Sequence, residues 1–129
     1  MPEDFTMSTV LKAKPEKIYR AWLSTDGHTA MTGSPAKVES KIGGSFTAWD
    51  GYISGKTLEL KPHTRIVQAW RTTEFPEGSS DSRVEILLEA AKGGTKLTLK
   101  HSNIPEGQAE SYKKGWKEFY FEPMKKYFS

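Results

Sequence analysis

The chain has 129 residues, enough for one domain with a real core and too few for two, and 12% of them are aromatic. It carries a net charge of +3 and no cysteine, which excludes disulfides, thiolate nucleophiles and cysteine-bound zinc and gives no electrostatic case for nucleic acid or an anionic membrane. No apolar run approaches a membrane span, and the acidic start Met1-Pro2-Glu3-Asp4 precedes no apolar signal core, so a cytoplasmic protein is expected.

Alternation from Phe5 to Ala13 predicts a first strand. Pro15 suits the first turn of a helix, and Ile18, Ala21 and Trp22 recur at helical spacing as far as Leu23. Ser24-Thr25-Asp26 offers caps for a second short helix ending near Gly33 and Pro35. From Ala36 to Asn103 the hydrophobic period becomes two. Asp50-Gly51 predicts a hairpin turn flanked by Trp49 and Tyr52, which sets Phe46 opposite Gly55 and Ala48 opposite Ile53. Pro62-His63 marks the next turn and Arg65 to Thr73 the next strand, a register that half-buries Glu59 beside Trp70. Phe75 to Ser80 is a loop by composition.

Gly93-Gly94 is expected to close the last hairpin, pairing Ala90 with Leu97, Leu88 with Leu99 and Ile86 with His101. One face of that hairpin is then Val84, Ile86, Leu88, Leu97, Leu99 and His101. The chain ends in a long helix from about Glu106 to Tyr127. A regular helical period places Tyr112, Trp116, Phe119, Pro123 and Tyr127 in its inward stripe, with Tyr120 at the margin. Pro123 should kink the last turns, since it cannot donate to the Phe119 carbonyl. The order of elements predicts one α+β domain over residues 1–129, a curved antiparallel sheet wrapped around the C-terminal helix.

Gly51 and Gly55-Lys56-Thr57 imitate a phosphate-binding loop, but only three residues separate the glycines and Leu58-Glu59-Leu60-Lys61-Pro62 alternates like a strand. No helix N-terminus follows to receive phosphate, so the stretch is read as sheet, with Gly55 beneath an aromatic ring and prone to a bulge.

The same region carries a resemblance. Gly43-Gly44-Ser45-Phe46, Trp49-Asp50-Gly51, Ile53-Ser54-Gly55, Glu59-Leu60-Lys61-Pro62 and Ile66-Val67-Gln68-Ala69-Trp70-Arg71 are similar to the activator of heat-shock protein 90 ATPase family. So are Pro76-Glu77-Gly78, Ile104-Pro105 and Gly115-Trp116-Lys117-Glu118-Phe119-Tyr120-Phe121. The chain resembles the C-terminal domain of the eukaryotic co-chaperone and free-standing microbial relatives, within the START-like, birch-pollen-allergen-like superfamily. That resemblance implies a helix-grip fold and a cavity between sheet and helix. The co-chaperone's separate N-terminal domain, which carries much of its chaperone activation, has no counterpart in these 129 residues. Weak stimulation or none is therefore expected of this chain alone.

His28, His63 and His101 are scattered, with no ligand spacing for a metal, and no cofactor is expected. His101 should point inward as a hydrogen-bonded core histidine or a ligand contact. No serine elbow or carboxylate pair supplies a catalytic signature, so an enzyme ranks third among the readings. The leading expectation is a non-catalytic domain holding a small hydrophobic or aromatic molecule, bound by Trp70, Ile86, Leu88, Leu99, His101, Tyr112, Gly115, Trp116, Phe119 and Tyr120. The alternative is an interaction module acting on a heat-shock protein 90 chaperone. Gly115, costly inside a helix, marks either close backbone approach or space left for a ligand.

Overall fold

Seven antiparallel strands in the order β1-β7-β6-β5-β4-β3-β2 form one sheet, and the computed structural model describes residues 2–128 of the chain, so that Met1, which begins the acidic stretch, and Ser129 lie outside it. β1 (Glu3–Leu11) leads into α1 (Pro15–Trp22) and α2 (Thr25–Thr32) before the chain returns as β2 (Lys37–Val38) and β3 (Ser45–Ala48). Four long strands follow: β4 (Ile53–Lys61), β5 (Arg65–Thr72), β6 (Ser82–Ala91) and β7 (Gly94–Ile104). A continuous helical run closes the fold, as α3 (Ala109–Gly115), a π turn (Trp116–Phe121) and α4 (Glu122–Tyr127).

Local chemistry sets these boundaries. Pro15 occupies the first turn of α1, where no N–H is missed. Ser24 caps α2, its hydroxyl accepting from the Gly27 amide at 2.8 Å, and Gly33 ends that helix at φ 79. The β3–β4 hairpin has the expected register, Phe46 opposite Gly55 and Ala48 opposite Ile53. Gly55 is obligatory there: an added Cβ would lie 1.8 Å from the Ala69 carbonyl oxygen and 2.8 Å from Phe46 Cε1. The phosphate-loop imitation is thus strand throughout, and the sheet's register breaks between Thr57 and Glu59.

Three expectations are corrected. Ala90 pairs with Thr95, Leu88 with Leu97, Ile86 with Leu99 and Val84 with His101, a slip of two residues from the predicted register. The inward face survives the slip, because the side-chain period of a strand is two. Glu59 does not lie beside Trp70: it pairs with Val67, its side chain is 57% exposed, and it bonds Arg65.

The helix carries the third correction. It begins at Ala109, after a turn in which Gly107 has φ 86, rather than near Glu106. The buried stripe runs Tyr112, Trp116, Tyr120, Met124 and Phe128, while Phe119 is 52% and Tyr127 49% exposed. A regular helix cannot hold residues four apart in line over this length. The π turn can, because its amides reach back five residues, as Glu122 N–H does to the Lys117 carbonyl. Pro123 sits in the first turn of α4, immediately after this wider turn. The interruption that proline imposes therefore takes the form of a π turn upstream, which rotates Phe119 outward and Tyr120 inward.

The core lies between the concave face of the sheet and the helices, with Ile18 and Trp22 of α1, Met31 of α2, Ile66, Val84, Ile86, Leu97 and Leu99 of the sheet, and Met124 of α4 all buried. Glu3 at the start of β1 accepts from the Ala109 amide at 3.1 Å, tying the first turn of α3 to the edge strand.

Candidate functional site

Between the sheet and the C-terminal helix the packing opens into a cleft of about 340 Å³. Its walls are the buried rings of Trp70, Tyr112, Trp116 and Tyr120 with Ile53, and its mouth is made by Trp49, Tyr52, Ser111 and Phe119. Gly115 completes the lining, and an added Cβ there would meet only Phe119 Cδ2, at 3.8 Å. Close backbone approach therefore does not explain this helix glycine.

Six of the predicted site residues, Trp70, Tyr112, Gly115, Trp116, Phe119 and Tyr120, line this cleft. Ile86, Leu88, Leu99 and His101 do not; they lie in the core behind it, 0–2% exposed. Trp49, Tyr52, Ile53 and Ser111 line the cleft and were not among the sequence candidates. For Trp49 and Tyr52 the signal was available, since both flank the Asp50-Gly51 turn. Their position marks them as turn supports, and the Trp49–Phe119 contact shows that the turn also overhangs the helix. Trp49 is held at φ 51, unusual for a bulky residue, and its ring meets the Phe119 ring edge to face at 5.3 Å.

His101 is bound on both ring nitrogens, and the geometry fixes its tautomer. Ser82 Oγ donates to the Trp70 carbonyl at 2.6 Å, so it must accept from His101 Nε2–H at 2.8 Å. Nδ1 is then bare and accepts from Trp116 Nε1–H at 3.1 Å. The imidazole is neutral, burial pushing its pKa from 6.5 down to about 3. Its place in the molecule is to hold Trp116, and through Ser82 to brace Trp70, behind the cleft wall.

A second buried histidine does the same for Tyr120 with the opposite tautomer. His28 Nδ1–H donates to the Trp22 carbonyl at 2.9 Å, leaving Nε2 to accept from the Tyr120 hydroxyl at 2.8 Å. Burial lowers its pKa, with the Trp22 carbonyl working against that shift, and burial raises the pKa of Tyr120. Sequence reasoning set His28 aside; its spacing with Met31 and Thr32 on α2, whose buried residues are these three, was the available signal.

At the other end, Thr72 Oγ1–H donates to the Tyr112 hydroxyl at 2.7 Å, and that hydroxyl donates to Gln108 Oε1 at 2.6 Å. The Tyr52 hydroxyl donates to the Glu74 carboxylate; burial and this bond push its pKa up to about 12. Trp49 Nε1 is buried without a partner. The hydroxyls of Tyr52, Tyr112 and Tyr120 and the indole N–H of Trp116 are thus engaged with the protein itself, and the cleft presents mainly ring surface. Among the described residues no group of histidines and carboxylates could hold a metal ion, and no helix is long and apolar enough to cross a membrane.

The family model described as activator of Hsp90 ATPase homolog 1-like protein matches residues 12–129. The chain is 32% identical over 123 residues to the human activator of 90 kDa heat shock protein ATPase homolog 1, covering 95% of this chain and 36% of that protein. It thus spans roughly a third of the length of such relatives. An HSP90 activator from Plasmodium falciparum matches with a TM-score of 0.88 at 28% identity, over 96% of this chain and 94% of that one. The Aha1 dimer from Colwellia psychrerythraea, at 21% identity, shares the fold with a TM-score of 0.80 over 98% of this chain and 96% of that one. With its helix-grip fold and a family match over nearly its whole length, the chain belongs to the activator of Hsp90 ATPase homolog 1-like family.

Proposed function

We propose that this domain is a non-catalytic binding protein that holds a small, mainly apolar or aromatic molecule in the cleft between sheet and helix. The observation that carries the reading is Gly115. Helix-to-sheet contacts normally close on side chains, yet here a glycine lines the cleft from within the helix, where an added Cβ would meet only Phe119 Cδ2 in ordinary contact at 3.8 Å. A glycine in a helix interior costs about 1 kcal/mol relative to alanine, and retained space of this kind is accounted for by an occupant. Neutral, fully bonded histidines behind the wall fit a rigid binding site better than acid–base chemistry.

Gly115→Leu tests this. Leucine has the better helix propensity and room to enter the cleft, so the melting temperature should hold or rise while binding of naphthalene disappears. A clear fall in melting temperature, with no naphthalene binding by the parent protein either, would contradict the reading.

Family membership supports a second reading, an interaction module for a heat-shock protein 90 chaperone, since the Plasmodium falciparum relative covered almost end to end is itself an HSP90 activator. Pull-down and an ATPase assay with the chaperone of the source organism test it. A several-fold increase in ATPase rate would give the interaction reading precedence, and the absence of both binding and stimulation would count against it.

A further inference from the structure

The shape and charge of the cleft narrow what it can hold. Seven of its ten lining residues are aromatic, and no lysine or arginine is among them. Its walls do not form a slot. The lining rings meet at 82° (Trp70 and Tyr112), 63° (Trp49 and Phe119), 45° (Trp116 and Tyr120) and 34° (Trp70 and Trp116), so their planes turn around the cleft. Rings set on several sides can surround a compact, rounded group as well as receive a flat one. Negative charge is fixed at the mouth, where the Glu74 carboxylate accepts from the hydroxyl of the lining residue Tyr52. Ring faces are the negative side of an aromatic quadrupole and attract cations, an effect that grows when water is excluded.

Hydrogen bonding restricts the cation further. A primary ammonium brings three donors that need acceptors inside the cleft. The Tyr112 hydroxyl accepts from Thr72 and donates to Gln108, while the Tyr120 hydroxyl donates to His28 and keeps acceptor capacity. Indole N–H groups accept nothing, so the ring walls hold fewer acceptors than three donors need. An ammonium fully substituted with methyl groups has no donor to satisfy. We infer that the occupant presents a quaternary ammonium group, caged by Trp70, Tyr112, Trp116 and Tyr120 and drawn in by Glu74. This rests on the cleft being a binding site and specifies the chemistry of its ligand.

The test is a matched pair: choline, and its uncharged carbon isostere 3,3-dimethyl-1-butanol, titrated while the indole N–H resonances of Trp49, Trp70 and Trp116 are followed by NMR. Choline should bind about tenfold more tightly than the isostere. Glu74→Gln, at an exposed position, should weaken choline a few-fold and leave the isostere unchanged. Equal binding of the two, or a preference for the isostere, overturns the quaternary ammonium and leaves the apolar cleft standing. Silence of all three indoles to both probes overturns this inference, and silence to naphthalene as well overturns the cleft reading beneath it. Phosphocholine is the third arm: binding tighter than choline assigns the cation to a lipid headgroup, and weaker binding assigns it to a free ammonium, the source favoured by the Glu74 carboxylate at the mouth.

Discussion

Replacing His101 with leucine keeps most of the side chain's apolar contact and removes two hydrogen bonds that support the cleft wall. Trp116 Nε1–H loses its acceptor, while Ser82 loses a donor but keeps its own bond to the Trp70 carbonyl. An orphaned buried donor costs about 1–3 kcal/mol, so the variant should be less stable than the parent by about that amount at pH 7. Acid reverses the balance. His101 is neutral in the fold with a pKa of about 3, against 6.5 in the unfolded chain. Its folded pKa is depressed and its neutral form is the one the fold accepts. The stability it contributes is therefore complete above the unfolded value and is lost as the pH falls from there toward 3, because the unfolded chain takes up the proton first. Between pH 7 and about pH 4.5 that loss comes to roughly 2–3 kcal/mol. Leucine does not titrate, and the contribution of His28 is common to both proteins. Urea titrations at the two pH values, read by tryptophan fluorescence, should show the gap between parent and variant closing or inverting in acid. Parallel losses in the two proteins would refute the neutral, doubly bonded assignment of His101.

Three further substitutions follow from the same geometry. Tyr120→Phe removes the hydroxyl that donates to His28 Nε2 and should cost about 1–3 kcal/mol in urea unfolding; a cost near zero would mean that His28 has another donor. Gly55→Ala drives a Cβ to 1.8 Å from the Ala69 oxygen, so it should lower stability by more than about 3 kcal/mol or prevent folding, and a near-normal melt would refute the close approach. Glu59→Ala removes one partner of an exposed ion pair with Arg65, whose other carboxylate Glu85 remains, and should change stability by less than about 1 kcal/mol; a larger effect would restore the buried role that its register excludes.

The fold was legible in the sequence because its signals are local. Pro15, the Ser24 cap, Gly33 and Asp50-Gly51 each act within one turn, and the period of two along β6 and β7 identifies the inward face. What periodicity cannot see is a slip of two residues, which exchanges partners without exchanging faces. The adjacent glycines made that slip easy to miss, because they have different work. Gly93 takes the turn at φ 81, whereas Gly94 is required by β1, since a Cβ there would lie 1.9 Å from the Leu11 oxygen. The turn is therefore centred on Lys92-Gly93, between the paired residues Ala91 and Gly94. The helix stripe failed for a second reason: a fixed angle per residue presumes one pitch, and the π turn changes it between Trp116 and Phe121.

The cleft was legible only in part. Its rings on the last helix and at Trp70 stand out as inward aromatics, but sequence cannot say which inward residues face a void and which face one another. Leu99 and Ile86 share a face with Trp70 in any period-two reading, yet they lie where the packing closes. Trp49 and Tyr52 join the cleft because of where a turn overhangs a helix, a long-range consequence of sheet curvature that no local pattern carries.

Ligand entry into the cleft can be read directly at the tryptophans. Selective ¹⁵N labelling of tryptophan gives four indole N–H signals, of which Trp49, Trp70 and Trp116 report on residues lining the cleft and Trp22 on the ring stacked behind Trp116. Titration with small apolar and aromatic compounds, from toluene to naphthalene, should move the three cleft signals together and saturably, Trp22 least, and Gly115→Leu should abolish the response. No movement across the series, or a response led by Trp22 and unaffected by the leucine, would contradict the account.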